Sequence, residues 1–228
     1  MRAIVTHWLN LYHRFMEERA KIAKPDGSSN SRWRDIGRLI SLSDGIFAFA
    51  MTLLVVTIDI PGGIKGLQGE ELHHYLLSQW QPLLVFFQSF WLLSIFWVTH
   101  HRMYGYYRCT DHRHTWISLG ILLFVVLMPY TTDLLGDASD DWMVQLIFAG
   151  NLLALGLLVS LNWLYATTGH RLVDPGLSRE IINRGRRRGF IVPFCCLGAG
   201  ILAFVAPDQA SWFYLLIPIV LSLKPFRT

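Results

Sequence analysis

Long apolar stretches alternate with short charged segments along most of the chain. Residues 72–101, between Glu71 and Arg102, contain no Asp, Glu, Lys or Arg. Residues 115–132, 142–169 and 189–207 repeat the pattern, and 209–223 is a shorter stretch interrupted by Pro218. Crossing a membrane takes about 20 largely apolar residues, so these read as transmembrane helices. The first span is different. Only residues 45–58 separate Asp44 from Asp59, and at about 1.5 Å per residue they cover roughly 21 Å of a hydrocarbon core about 30 Å thick. Extending the helix toward Arg38 supplies the length but carries Asp44 into the membrane. The pattern therefore predicts an all-α polytopic membrane protein with six transmembrane helices, one of which includes a carboxylate.

Lysine and arginine placement orients these spans. Of the 20 such residues, only Lys65 falls in a loop on the outer side. The rest lie before Arg38 or within it, after the second and fourth spans, and at the C-terminus, which puts both termini in the cytoplasm. The outer loops hold Asp59, Glu70, Glu71, Asp133, Asp137, Asp140, Asp141 and Asp208 instead. Ahead of the first span, Ile4, Trp8, Leu11, Tyr12 and Phe15 recur at helical spacing among charged residues. That is an amphipathic helix suited to the inner membrane surface, without the apolar run of a signal peptide. Residues 1–31 thus form an N-terminal helix and linker, and 32–228 the six-helix membrane domain.

Ionisable side chains inside spans are functional candidates by default. Arg38, Ser43 and Asp44 sit at the cytoplasmic end of span one, and Trp97, His100, His101 and Arg102 at the same depth on span two. A carboxylate meeting a guanidinium or imidazole there forms a buried polar knot that fixes helix packing. The alternative is a proton relay through Asp44 and His100, as in a proton-coupled secondary transporter. On span one, Gly45, Phe49, Thr52, Val56 and Asp59 are spaced four, three, four and three, and so share one helical face. Such a mixed stripe is not a lipid-facing surface. It is either buried against another helix, with Thr52 bonded to its own backbone, or it lines a pore with Phe49 as constriction and Thr52 as a ring of hydroxyls.

The run Arg38-x-x-x-Leu42-Ser43-Asp44-Gly45 closely resembles the R-x-x-x-F-S-D-G signature of the transmembrane protein 175 potassium channels. Trp97-Val98-Thr99-His100-His101-Arg102 resembles the W-x-x-H-H-R element of the same family. The resemblance implies a potassium-selective channel, a homotetramer with the first helix of each subunit around the pore and no re-entrant filter loop. It assigns the bottleneck and threonine layer to Phe49 and Thr52, with Gly45 and Val56 on the same stripe. It assigns Arg38, Ser43, Asp44 and His100, with Trp97, to the polar network that holds the first helix. Leu42 stands where the family has Phe, and Phe49 where a smaller aliphatic is usual, which narrows the constriction or repacks it. One copy of the signature implies a prokaryotic member in the cell membrane, with potassium as permeant and no cofactor.

Composition adds exclusions. The 228 residues are 53% hydrophobic and 16% charged, well under the quarter expected of a soluble domain. Three cysteines form no disulfide framework. Adjacent histidines at 73–74 and 100–101 point about 100° apart on a helix and do not chelate one ion. His112 and His114, in a basic loop, read as solvated. No nucleophile or metal spacing suggests an enzyme, and no motif suggests nucleic-acid binding. Arg184, Arg186, Arg187 and Arg188 are topology determinants and candidate contacts for anionic lipids. Gly150, Gly156, Gly198 and Gly200 permit close helix contact, and Trp80, Trp91, Trp116, Trp142 and Trp212 form an aromatic belt at span ends.

Overall fold

The computed structural model describes residues 31–58, 66, 68–214 and 217. The N-terminal amphipathic helix, Asp59, Lys65 and most of the sixth span lie outside these. The described chain is helical: α1 (Ser31–Leu53), α2 (Glu70–Ser78), α3 (Trp80–Tyr106), α4 (His112–Val126), α5 (Met128–Asp137), α6 (Trp142–Thr167), α7 (Arg179–Gly189), α8 (Ile191–Ala203) and α9 (Pro207–Tyr214). α1 tightens into a 3-10 turn over Leu54–Thr57, where Val55, Val56 and Thr57 are all β-branched and crowd an α-helical turn.

Two prolines, Pro82 and Pro129, divide what hydropathy reads as continuous spans, and a third, Pro193, stands at the start of the fifth. A proline ring clashes with the carbonyl four residues earlier and cannot donate to it. Pro82, Pro129 and Pro193 direct that clash at Ser78, Val125 and Gly189, and α2, α4 and α7 end at or within one residue of those positions. Inside a membrane the freed backbone groups need new partners. Near Pro129 the amide of Asn151 supplies one, donating to Phe124 O at 3.3 Å.

Four segments among the described residues are long and apolar enough to cross a membrane: Ile36–Thr57, Glu70–Tyr106, His112–Asp137 and Trp142–His170. Within the fifth predicted span, α8 has 13 residues, about 20 Å and short of a full crossing by itself. α6 is the central helix, touching α4, α5, α7 and α8, while α1 lies to one side against α3, α4 and α5. Phe148, Leu152, Leu155, Val159, Trp163 and Ala166 form the buried seam of α6, spaced as a helix face requires.

Not all the predicted small-residue contacts are used. A Cβ on Gly156 would come within 3.1 Å of Val192 and Pro193, and one on Gly198 within 2.9 Å of Phe213. Gly150 faces open space, and Gly200 has only ordinary contact. Trp116 and Trp142 are exposed near segment ends, Trp80 is exposed at the α2–α3 break, and Trp91 lies near the middle of α3. Gly156→Leu should therefore overpack the α6–α8 contact and lower the melting temperature in detergent by roughly 5 °C. Gly150→Leu is the control, and an equal fall in both would refute the packing assignment.

Candidate pore-lining helix and its polar anchor

α1 has two faces of opposite fate. Ile36, Leu39, Ser43, Phe47, Ala50 and Leu54 are buried, at intervals of three or four residues that draw one stripe along the helix. Gly45, Phe49, Thr52 and Val56 are exposed, Phe49 at 61% and Val56 at 72%. Two residues advance a helix by about 200°, so Phe47 and Phe49 face opposite ways. The stripe singled out in the sequence is thus the side of α1 that its own chain leaves uncovered. The Thr52 hydroxyl donates to Phe49 O at 2.8 Å.

The buried face is fastened near its arginine-rich end. Trp97 on α3 donates its indole N–H to Asp44 Oδ1 at 3.0 Å. Ser43 donates to Leu39 O at 2.8 Å, which keeps its buried hydroxyl within α1. His100 is buried, its ring stacked on Tyr104 at 4.3 Å and tilted against Phe47 at 5.6 Å. The sequence reading gives Asp44 a guanidinium or imidazole partner; the structure gives it an indole. His100 meets α1 through the Phe47 ring, and Arg38 is exposed about two turns before Asp44. His101 packs on Trp97 with ring centres 5.5 Å apart.

Behind this anchor lies a polar network that the sequence did not reveal. His114 is fully buried rather than solvated. Its Nε2 lies 3.2 Å from Asn162 Oδ1, which also accepts from the Tyr107 hydroxyl at 2.7 Å. Asn162 Nδ2 donates to Ser118 Oγ at 3.1 Å, and Tyr104 donates to the same oxygen at 2.7 Å. Tyr104 carries the stack to His100, so the chain of contacts runs from the loop after α3 to α1. Burial pushes the Tyr107 hydroxyl well above its ordinary pKa, which keeps it protonated as a donor.

Asp111 closes the outer end of the network as the N-cap of α4. It accepts from His114 N–H at 2.8 Å and from the Tyr165 hydroxyl at 2.6 Å. Partial burial pushes its carboxyl up, but those two hydrogen bonds, with His114 and Arg171 nearby, outweigh it and hold the group below its ordinary value. The signal for this network was Asn162, an amide within an otherwise apolar run. Among the described residues, no three His, Cys, Asp or Glu side chains gather as a metal site would.

The apolar helices and the exposed mixed-polarity face of α1 define a polytopic helical membrane protein, and sequence comparison specifies its family. The family described as Endosomal/lysosomal potassium channel TMEM175 matches residues 38–129. A potassium channel of Chamaesiphon minutus is 30% identical over 175 residues, 75% of this chain and 86% of that protein. The crystal structure of a lysosomal potassium-selective channel TMEM175 homolog from Chamaesiphon minutus superposes with a TM-score of 0.74 at 27% identity, covering 85% of this chain and 100% of that one. The human endosomal/lysosomal proton channel TMEM175 is 23% identical over 82% of this chain, which spans 37% of that protein. The chain belongs to the TMEM175 family, a family of channels and not of enzymes.

Two measurements follow from the geometry. Trp97→Phe removes the donor to Asp44 and should cost about 2 kcal/mol in thermal unfolding, whereas Asp44→Asn keeps an acceptor and should cost less. Wild-type stability in Trp97→Phe would show that the bond anchors nothing. Because the Asp111 pKa is lowered on folding, its stabilisation is complete above the ordinary carboxylate range and is lost as pH falls through the lowered value. The gap in melting temperature between wild type and Tyr165→Phe, open at pH 7, should narrow as pH falls below the ordinary carboxylate range; a gap independent of pH would contradict this.

Proposed function

We propose that the chain is a potassium-selective channel of the cell membrane, assembled as a homotetramer with α1 of each subunit around the pore. The observation that carries this reading is the uncovered stripe of α1. A folded chain that buries Phe47 and leaves Phe49 and Val56 exposed on the opposite side has a helix face awaiting identical neighbours, and closed symmetry satisfies that with no new kind of surface. The relationship to the potassium channel of Chamaesiphon minutus supports the permeant ion and the passive mechanism.

In this assembly Phe49 forms an apolar constriction, and Thr52 a layer of hydroxyl oxygens, with Gly45 and Val56 on either side. Arg38, Ser43, Asp44, Trp97 and His100 make up the polar network that sets the orientation of α1. The full topology has six spans with both termini cytoplasmic, residues 32–228 forming the channel domain. Residues 1–31 supply an amphipathic helix on the inner leaflet. The arginine-rich segment Arg184, Arg186, Arg187 and Arg188 faces anionic lipid there.

Planar-bilayer recording in asymmetric potassium and sodium tests this directly. The expected result is a reversal potential displaced toward potassium equilibrium, with Thr52→Ala moving it toward zero and Phe49→Ala raising conductance severalfold. Chains that remain monomeric in bilayers, or uphill flux driven by a pH gradient, would reject the passive tetrameric channel. The second outcome would support a transporter using Asp44 and His100.

A further inference from the structure

At the arginine-rich end, a groove of about 350 Å³ opens between α3, α6 and the α7–α8 junction. Arg102, Arg184 and Arg188 line it together with apolar side chains that include Ile95, Val159 and Val192. Its size falls within the range of ligand pockets. Among the described residues that line it, none is acidic; Glu180 meets Arg184 at 2.7 Å from outside the groove. Burial, with the charges of Arg102 and Arg184, pushes the Arg188 guanidinium below its ordinary pKa. Positive charge is thus gathered at a mouth whose walls are hydrocarbon.

The seating of α7 makes this arrangement specific. A Cβ on Gly185 would fall 2.4 Å from Trp163 Nε1, and one on Gly189 2.7 Å from Ser160 Oγ. The two glycines let α7 lie directly on α6, where Trp163 donates to Ile182 O at 3.1 Å and Ser160 to Gly189 O at 2.7 Å. Arg184 and Arg188, one turn apart, then share the face that turns into the groove. Arg187 is exposed and does not line it.

We propose that this groove is a binding site for one anionic phospholipid of the inner leaflet, its phosphate held by Arg102, Arg184 and Arg188 and an acyl chain lying along Ile95, Val159 and Val192. The inference rests on the orientation given above, with the arginine-rich end at the cytoplasmic leaflet. A soluble anion would make no use of the apolar walls, and an uncharged lipid none of the guanidinium groups. An anionic amphiphile uses both.

Native mass spectrometry of the full-length protein, released from detergent after exposure to phosphatidylglycerol or phosphatidylcholine, tests the site. The expected result is one retained phosphatidylglycerol per chain in preference to phosphatidylcholine, displaced by dodecyl phosphate but not by inorganic phosphate. Arg188→Gln should weaken retention about tenfold, as loss of one charge-assisted hydrogen bond would, while Arg179→Gln, exposed on the same helix and outside both the groove and the arginine-rich segment, retains lipid as wild type does. Equal retention of the two lipids, equal competition by inorganic phosphate, or equal weakening in both variants would each overturn the proposal. The wild-type competition arm decides the matter even if Arg188→Gln does not fold. Recording in bilayers that contain phosphatidylglycerol separates the two ideas: absence of potassium current with lipid retention intact defeats the channel reading and leaves this site standing.

Discussion

A carboxylate carried into a membrane helix must find its partners within the protein, because the surrounding hydrocarbon offers none. At Asp44 that requirement determines how α1 is turned. The indole of Trp97 reaches the carboxylate, and the ring of His100, from the same helix, rests on Phe47. Two contacts to α3, one polar and one aromatic, resist rolling of α1 about its own axis. With the buried stripe held in this way, the opposite stripe faces outward as a matter of helix geometry. The stability of the anchor and the identity of the exposed residues are therefore aspects of one constraint.

The prolines act on a longer scale. By ending α2 and α4, Pro82 and Pro129 convert long apolar runs into shorter rods, while Pro193 marks the junction between the arginine-rich α7 and the apolar α8. A soluble protein would give the freed carbonyls to water. Here a side chain from the next helix is recruited, as Asn151 is to Phe124 O. The same economy holds for hydroxyls: Ser43, Thr52, Ser118 and Thr167 each donate to a carbonyl three or four residues back, which removes a polar hydrogen from the hydrocarbon without a tertiary partner.

What was legible in the sequence was what depends on periodicity and charge. The apolar runs mark the membrane segments, and spacing alone gathers Gly45, Phe49, Thr52 and Val56 on one stripe of α1, though not which way that stripe faces. The proximity of Asp44 to Trp97 and His100 follows from the depth of two motifs. The burial of His114 was hidden because its neighbours, His112 and Arg113, are those of a solvated loop. Its environment comes instead from Tyr107, Asn162 and Ser118, and from Asn162 across 48 positions of sequence. The helix breaks were hidden for another reason. Averaged hydropathy counts a proline as one weakly polar residue and takes no account of the missing donor, although Pro82 and Pro129 stood in plain view. Trp97 was placed beside Asp44 in the polar network by resemblance, but the bond itself was not foreseen, because the pairing weighed for Asp44 was with a guanidinium or imidazole and not with an indole.

The hydroxyl of Thr52 has its hydrogen turned toward Phe49 O, so only oxygen lone pairs remain to face away from the helix. In the proposed assembly a ring of such oxygens presents acceptors and no donors. It would welcome a partly dehydrated cation and offer nothing to an anion. Discrimination by the sign of the ion then arises from dipoles held in place by the backbone, with no formal charge in the ring. A selector of this kind has no proton to lose or gain over the physiological range, and its preference for cations is indifferent to pH.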